Sequence, residues 1–343
     1  MLLKTKPSTA CCNDEMYVSY LLSEPQYTSC TRFAKIMGNL SHDSVNRFLE
    51  RERYEPKDLF DEEKEKIELK VGTLSVDDSV LDKPYSEAQK VAFIDYFWSG
   101  KHKQVFKGLN LITLFYKDIK GRCVPVNYRI VDKSSGKTKN DYFREMFSEV
   151  ISWGLLPACV TGDSWYASLG NLKFIRKEGF NFMFGIESNR LISIERGQYI
   201  QVQTLEDWPE DGKTVYLKDY GMVKVFRQIY KKVYHYYIMG VAKLENFAGI
   251  KQTDFERRHD DHWNIERFHR AIKQVCNIER FHVRRENPIK NHIFCALKAF
   301  VRLELMRLHK IISHWYEIKR DLFITAIRNF VVEYANCSQL VNA

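Results

Sequence analysis

The chain has 343 residues, 45% apolar and 28% charged, with 16 Gly and 8 Pro; this excludes a disordered chain and, at about 150 residues per domain, leaves room for two or three domains. Lys and Arg outnumber Asp and Glu by 53 to 44, and the net charge of +9 tilts toward a polyanionic partner. The 8 cysteines form no CxxC pair and no zinc spacing, no run of 18 apolar residues occurs, and MLLKTKPSTACCNDE lacks the apolar stretch of a signal peptide. These features predict a soluble intracellular protein with free thiols and no membrane partner.

Residues 15 to about 60 read as a small helical unit. EMYVSYLLSE places Met16, Tyr20 and Leu21 on one face, and TRFAKIMGNLSHDSVNRFLE predicts two short helices around a Gly-Asn turn, the second capped by Ser41. Helix, turn, helix is the outline of a DNA-binding unit, with Ser44, Asn46 and Arg47 as its candidate contacts; a plain helical hairpin has the same outline. PKDLFDEEKEKIELK predicts a solvated helix or linker.

From residue 71 the pattern turns to strands. GTLSVDDSVLDK predicts a short strand ending in two carboxylates, and LNLITLFYKD and GRCVPVNYRIVD predict a hairpin about Lys120-Gly121. KNDYFREMFSEVISW is an amphipathic helix, ACVTGD a strand ending at Asp163, Leu169 to Glu178 a helix, and FNFMFGIE a further strand. This order predicts a mixed sheet with helices on its faces. Residues 190 to 245 are rich in strand patterns, with DWPEDGK as a turn, and read as an insertion or the far edge of the sheet. HDDHWNIERFHRAIKQVCN then opens a helical segment that runs to the end.

Strand ends in α/β sheets gather ligands, so Asp77 or Asp78, Asp163 and, on a helix, Glu266 are candidate ligands for two Mg²⁺ ions in phosphodiester chemistry. Only one of Asp77 and Asp78 can face a common site, because neighbouring strand residues point to opposite faces. Taken singly, each Asp also reads as a turn or cap residue, and Glu266 as a partner of Arg270. The cations of RRHDDHWNIERFHRAIKQ suit a phosphate-handling site: Lys273 lies two turns beyond Glu266 on the same face, with Arg257, Arg258, His262 and Arg270 nearby. Trp165, Tyr166, Trp208 and Trp263 are candidates to stack on displaced bases, packing being the alternative for each.

VDDS at Asp77 to Ser79, VTGDSWYAS around Asp163 and HDDHWNIERFHRAIKQ around Glu266 resemble the three signatures of bacterial insertion-sequence transposases of the DDE class, over about residues 15 to 310. The resemblance implies an α/β fold, an RNase H-like mixed sheet flanked by helices, divided into a helical DNA-binding region at 1–65, catalytic core at 66–188, β-rich insertion at 189–250, core with the Glu helix at 251–310, and C-terminal helices at 311–343. It implies a Mg²⁺-dependent enzyme, with Mn²⁺ as the alternative ion. Such an enzyme binds terminal inverted repeats in double-stranded DNA, nicks to free a 3′-OH and joins that end to target DNA, a hairpin end being a common intermediate. Asp77, Asp163 and Glu266 take the metal-ligand positions, Asp78 remaining a fallback for the first; Lys273 completes the catalytic set, and Ser79 belongs to the first motif. The helix signature Tyr, two residues, Arg, three residues, Glu, six residues, Lys is met at Glu266 and Lys273, but its first two positions hold His259 and His262. Either Arg258 replaces the missing cation or His262 donates as a neutral ring. Paired ends imply a homodimer on DNA, in bacterial cytoplasm at the nucleoid. Two alternatives remain: an inactive protein that still occupies DNA ends, and another RNase H-like nuclease.

Overall fold

The apolar run from Leu109 to Tyr116 is continuous, as in a strand covered on both faces, and it forms the middle of the central sheet. The computed structural model describes residues 11–25, 28–86, 91–195, 197–243 and 247–341, so the first ten residues of the stretch read above for a signal peptide lie outside it. Two units result: Pro56–Arg267, which holds the sheet, and a helical unit of the residues up to Glu55 with those from Phe268 onward.

The sheet unit begins with α4 (Pro56–Glu63), which follows α1 (Asp14–Ser23), α2 (Cys30–Met37) and α3 (His42–Arg51) of the helical unit. Leu59, Phe60 and Glu63 of α4 are buried and the helix packs on β4 (Cys123–Ile130), so this segment is not the solvated linker its charge suggested: its apolar residues share one face. Next come β1 (Thr73–Asp82), β2 (Asp95–Ser99) and β3 (Gln104–Lys117). β2 carried no clear apolar alternation and was not expected. The β3–β4 hairpin turns at Gly121, whose φ of 78° is left-handed, as expected there. α5 (Lys139–Ser152), β5 (Cys159–Gly162), α6 (Leu169–Lys177) and β6 (Asn181–Ile186) follow at the expected places.

The strand-rich stretch supplies β7 (Leu191–Ser193), β8 (Ile200–Gln201), β9 (Lys213–Leu217), β10 (Gly221–Tyr230) and β11 (Val233–Gly240). β11 pairs antiparallel with β6, so the extra strands continue the central sheet in the order β2-β3-β1-β5-β6-β11-β10-β9-β7-β8, with β4 beside β3. β1·β5 and β5·β6 are parallel pairs. Phe143, Met146 and Phe147 of α5 and Leu172 and Ile175 of α6 are fully buried in the core of the sheet unit.

The helical unit is held by polar groups as well as apolar ones. Tyr17, Val18, Tyr20 and Leu21 of α1 are buried, whereas Met16, placed on that face by its spacing, is half-buried. Ser41 caps α3 as expected, accepting from the Ser44 amide at 3.1 Å. Within α8 (Glu286–Leu308), Asn291 donates to the carbonyls of Leu49 and Glu52 at 2.6 and 2.8 Å, and Asn277 donates to those of Leu21 and Glu24 at 2.8 Å each. Side-chain amides thus satisfy carbonyls that the ends of α3 and α1 leave over. The chain closes with a π-helical turn at Ile318–Leu322 and α9 (Phe323–Val341).

Gly162, the last residue of β5, sits where a Cβ would lie 2.6 Å from the Phe184 ring and 2.9 Å from Val76. Gly162→Ala is therefore expected to lower unfolding stability by about 1–3 kcal/mol through overpacking, read as a shift in the urea midpoint. An unchanged midpoint would show that the β1–β5–β6 contact is loose.

Candidate active site

The parallel register sets Val76 of β1 opposite Gly162 of β5, so the residues that follow, Asp77 and Asp163, leave the two strands side by side. Asp77 lies in mid-strand, not at the strand end expected, because β1 continues to Asp82 by antiparallel pairing with β3 after β5 has stopped. The carboxylates still gather at the C-terminal end of the parallel pair.

Helix α7 (Gln252–Gln274), through its residues up to Arg267, lies along one face of these strands. Arg258 donates to Thr73 Oγ1 at 2.7 Å, Thr73 donates to Asp261 at 2.7 Å, and Lys117 pairs with the same carboxylate at 2.7 Å. One turn on, His262 Nδ1 lies 3.2 Å from Thr161 Oγ1, which bonds Ser75 Oγ at 2.8 Å. Ser75 and Asp77 share a face, as do Thr161 and Asp163, by the two-residue period of a strand. Glu266 follows His262 by one helical turn on α7 and is exposed.

Asp78 faces the other way. Its carboxylate receives Lys139 Nζ at 2.8 Å on each oxygen, Asn110 Nδ2 at 2.7 Å and Tyr166 OH at 3.1 Å. Lys139 is the first residue of α5, behind a capping box of Thr138 and Asp141, a position where the helix dipole disfavours a cation; the Asp78 ion pair offsets this. The Lys139 ammonium also lies 5.0 Å from the Trp165 ring centre.

Asp163 caps the short turn Ser164–Tyr166, accepting from the amides of Trp165 at 3.0 Å and Tyr166 at 3.4 Å. It keeps an exposed edge, yet burial of its carboxyl, then the charges of Asp77 and Asp78, push it up to about 7. Hard oxygen donors crowded until one tends to hold a proton suit a divalent cation. Among the described residues, however, no group of three or more His, Cys, Asp or Glu side chains is arranged so that it could hold a metal ion.

The other sequence candidates divide. Ser79 lies two residues beyond Asp77, half-buried on its face; Trp165 is 61% and Trp263 43% exposed. Tyr166 is fully buried and spends its hydroxyl on Asp78, which leaves no ring face for a base. Trp208 packs on Tyr236 beneath the Arg227 guanidinium and donates its indole N–H to the Leu205 carbonyl at 2.7 Å, so its ring is largely occupied. His259 meets the Tyr237 hydroxyl at 3.2 Å, and burial lowers its pKa, keeping it neutral at pH 7. Arg258 donates to Thr73 two turns of α7 before Glu266.

Within the helical unit, Asn46, Arg47 and Arg270 are exposed, but Ser44 is buried and accepts the Cys12 amide at 3.1 Å, which withdraws it from any DNA contact. Lys273 pairs with Glu279 at 3.1 Å. Lys139, Asn110, Thr161 and Tyr237 were not anticipated. A lysine heading a capped helix was the one local signal, for Lys139; the rest depend on strand register.

A mixed sheet extended by extra strands ahead of an acid-bearing helix, with two aspartates leaving adjacent parallel strands, is the arrangement of the RNase H-like DDE superfamily. The sequence matches the transposase DDE domain family over residues 73–301, about two thirds of the chain and all three acids, and the protein belongs to that family. No curated protein matches it. Among solved structures, that of the piggyBac transposase synaptic complex with hairpin DNA aligns with 96% of this chain and 76% of that one, at a TM-score of 0.50 and 13% identity. The Drosophila P element transposase strand transfer complex aligns with 59% of this chain and 50% of that one, at a TM-score of 0.29 and 12% identity. Among the described residues, no helix is long and apolar enough to cross a membrane.

The raised Asp163 pKa has a consequence for stability. The folded state holds a proton that the unfolded chain, with an ordinary value of 3.8, has released, so stability falls as pH rises from about 4 to about 7 in metal-free buffer. Asp163→Asn keeps the capping oxygen and removes the charge. It is expected to melt a few degrees above the wild type at pH 8 and together with it near pH 4; a gap independent of pH would sink this account.

Proposed function

We propose that the protein is a DNA transposase that binds the terminal inverted repeats of an insertion sequence and carries out Mg²⁺-dependent strand cleavage and transfer. The observation that carries the proposal is that Asp77 and Asp163 leave the adjacent parallel strands β1 and β5 side by side, where burial and then the charges of Asp77 and Asp78 push Asp163 up to about 7. Family membership and a fold shared with a transposase whose structure holds hairpin DNA support it. Asp77, Asp163 and Glu266 would hold the metal, with Mn²⁺ able to replace Mg²⁺; bound there, the ion activates the attacking oxygen and stabilises the leaving one.

This chain's own residues do the rest. Asp77 is the first acid, since Asp78 is turned away and neutralised by Lys139, Asn110 and Tyr166. His262, braced by Thr161 one turn before Glu266, sits where the signature has Arg and offers a ring nitrogen to a phosphate oxygen. Trp165 is the indole beside the acids whose face a displaced base can reach. Two ends are cut in one complex, so the enzyme acts on DNA as a homodimer, and the exposed Asn46 and Arg47 contact the repeat.

Cleavage of a labelled duplex carrying the element's end, with Mg²⁺ or EDTA, tests the proposal. Wild type is expected to nick at the end only with metal, Mn²⁺ substituting, and Asp163→Ala and Glu266→Ala are expected to fall to background. Specific end binding by the wild type without nicking, under conditions that allow paired ends, favours a DNA-end-binding protein that has lost its chemistry. Trp165→Ala should reduce the fluorescence change of 2-aminopurine at the cleaved end by more than half, whereas Trp208→Phe should leave it near wild type; the reverse order would return the stacking role to Trp208.

A further inference from the structure

Strands β10 and β11 run on after the strands beside them have stopped. β9 reaches only to the pair Val225–Lys213, and β6 only to Tyr236–Ile186. Beyond them, Gln228–His235, Ile229–Tyr234 and Tyr230–Val233 pair with each other alone among the described residues, as a two-stranded ribbon closed by Lys231 and Lys232. From Tyr236 to Val233 the ribbon advances about 10 Å, and the turn adds to that. Ile229 and Tyr234 share one face, Tyr230 and Val233 the other. All four are between 48% and 63% exposed, so neither face is covered.

The turn residues work against the turn. Lys231 and Lys232 both hold left-handed backbone, with φ of 49° and 65°. A two-residue hairpin turn of that kind favours Asn and Gly, because a lysine Cβ crowds the backbone there. What the lysines add is charge at the outermost point of the ribbon. From Gly221 to Gly240 the chain carries four cations, Lys224, Arg227, Lys231 and Lys232, and no carboxylate. Lys224 donates to the Ile250 carbonyl, whereas the other three are exposed. The Arg227 guanidinium lies 4.7 Å from the Trp208 ring centre and 4.5 Å from that of Tyr234. Stacking occupies its faces and leaves the N–H donors in its plane for an anion. Lys231 Nζ lies 5.2 Å from the Tyr230 ring centre. Cations interleaved with exposed aromatic rings are the footprint of a nucleic-acid contact. The major groove of B-DNA, about 12 Å wide and about 8.5 Å deep, admits a two-stranded β-ribbon, and the reach of this one matches its depth.

We propose that the β10–β11 ribbon enters the major groove of duplex DNA, with Arg227, Lys231 and Lys232 on backbone phosphates and Tyr230 and Tyr234 against the groove wall. It is a hold on DNA separate from the acids, and phosphate contacts make it independent of sequence. The choice of DNA over another polyanion rests on the transposase reading.

The test measures binding of the full chain, in EDTA, to a labelled DNA duplex of arbitrary sequence and to an RNA duplex of equal length. Wild type is compared with Lys231→Asn plus Lys232→Gly and with Lys231→Arg plus Lys232→Arg. The Asn-Gly variant supplies the residues that the turn favours, so it is expected to melt at or above the wild-type temperature, and weaker binding is then not a loss of fold. Its affinity for DNA is expected to fall about tenfold, and the slope of log affinity against log salt to shrink by about two, while the Arg pair keeps both. Duplex RNA, whose deep, narrow major groove excludes the ribbon, is expected to lose little affinity. Equal DNA affinity and equal slope in wild type and the Asn-Gly variant, or equal losses on DNA and RNA, overturn the proposal. Unchanged DNA binding with lost self-association gives the ribbon to a second copy of the chain and overturns it as well. A wild type that binds no duplex overturns the transposase reading along with it, whereas a failure confined to the Asn-Gly comparison overturns the ribbon alone.

Discussion

The pairing of β1 with β5, and the seam that α7 makes along them, is the constraint on which the sheet unit's site depends. Thr73, Ser75 and Asp77 on one strand, and Thr161 and Asp163 on its neighbour, point to a single face. Arg258, Asp261 and His262 bond to that ladder at successive levels. Asp261, gathering Thr73, Lys117 and Arg258, fixes the start of this seam. A slip of one residue in β1 would turn Asp78 toward α7 and bury Asp77 in the opposite layer, so the register decides the chemistry.

The site is an electrostatic compromise. Three aspartates lie close enough for Asp163 to feel the other two, and a lysine, an amide and a phenol relieve Asp78. Burial and those two charges leave Asp163 in tension. That tension weakens the metal-free fold above the range in which Asp163 is protonated, and it is the feature a divalent cation would exploit. The short turn after Asp163 holds it through two backbone amides, and Gly162 permits the close approach of Phe184 and Val76 behind it.

Polar groups organise the helical unit in a different way. Asn277 and Asn291 reach the open carbonyl ends of α1 and α3, and buried His292 joins Tyr17 at 2.9 Å to the Asn277 carbonyl at 3.2 Å.

Much of this was legible before any coordinates. Strong periodicity located α5, α6 and α7, the apolar runs located β3 to β6, and the spacing of three acidic motifs pointed to the family. Those are local properties, written in runs of residues that must bury one face or cap one end. The sequence could not choose between Asp77 and Asp78, because adjacent residues differ only in the face they take and the face is set by pairing with β5. Nor could it separate Trp165, left exposed by the turn after β5, from Tyr166 and Trp208, which tertiary packing covers. Composition made α4 look like a linker and hid β2, since a charged helix with one apolar face and a strand held mainly by its neighbour carry little local signal. Local patterning thus determined the elements and the inventory of acids; only long-range pairing and burial decided which of those acids meet and which aromatic rings stay open.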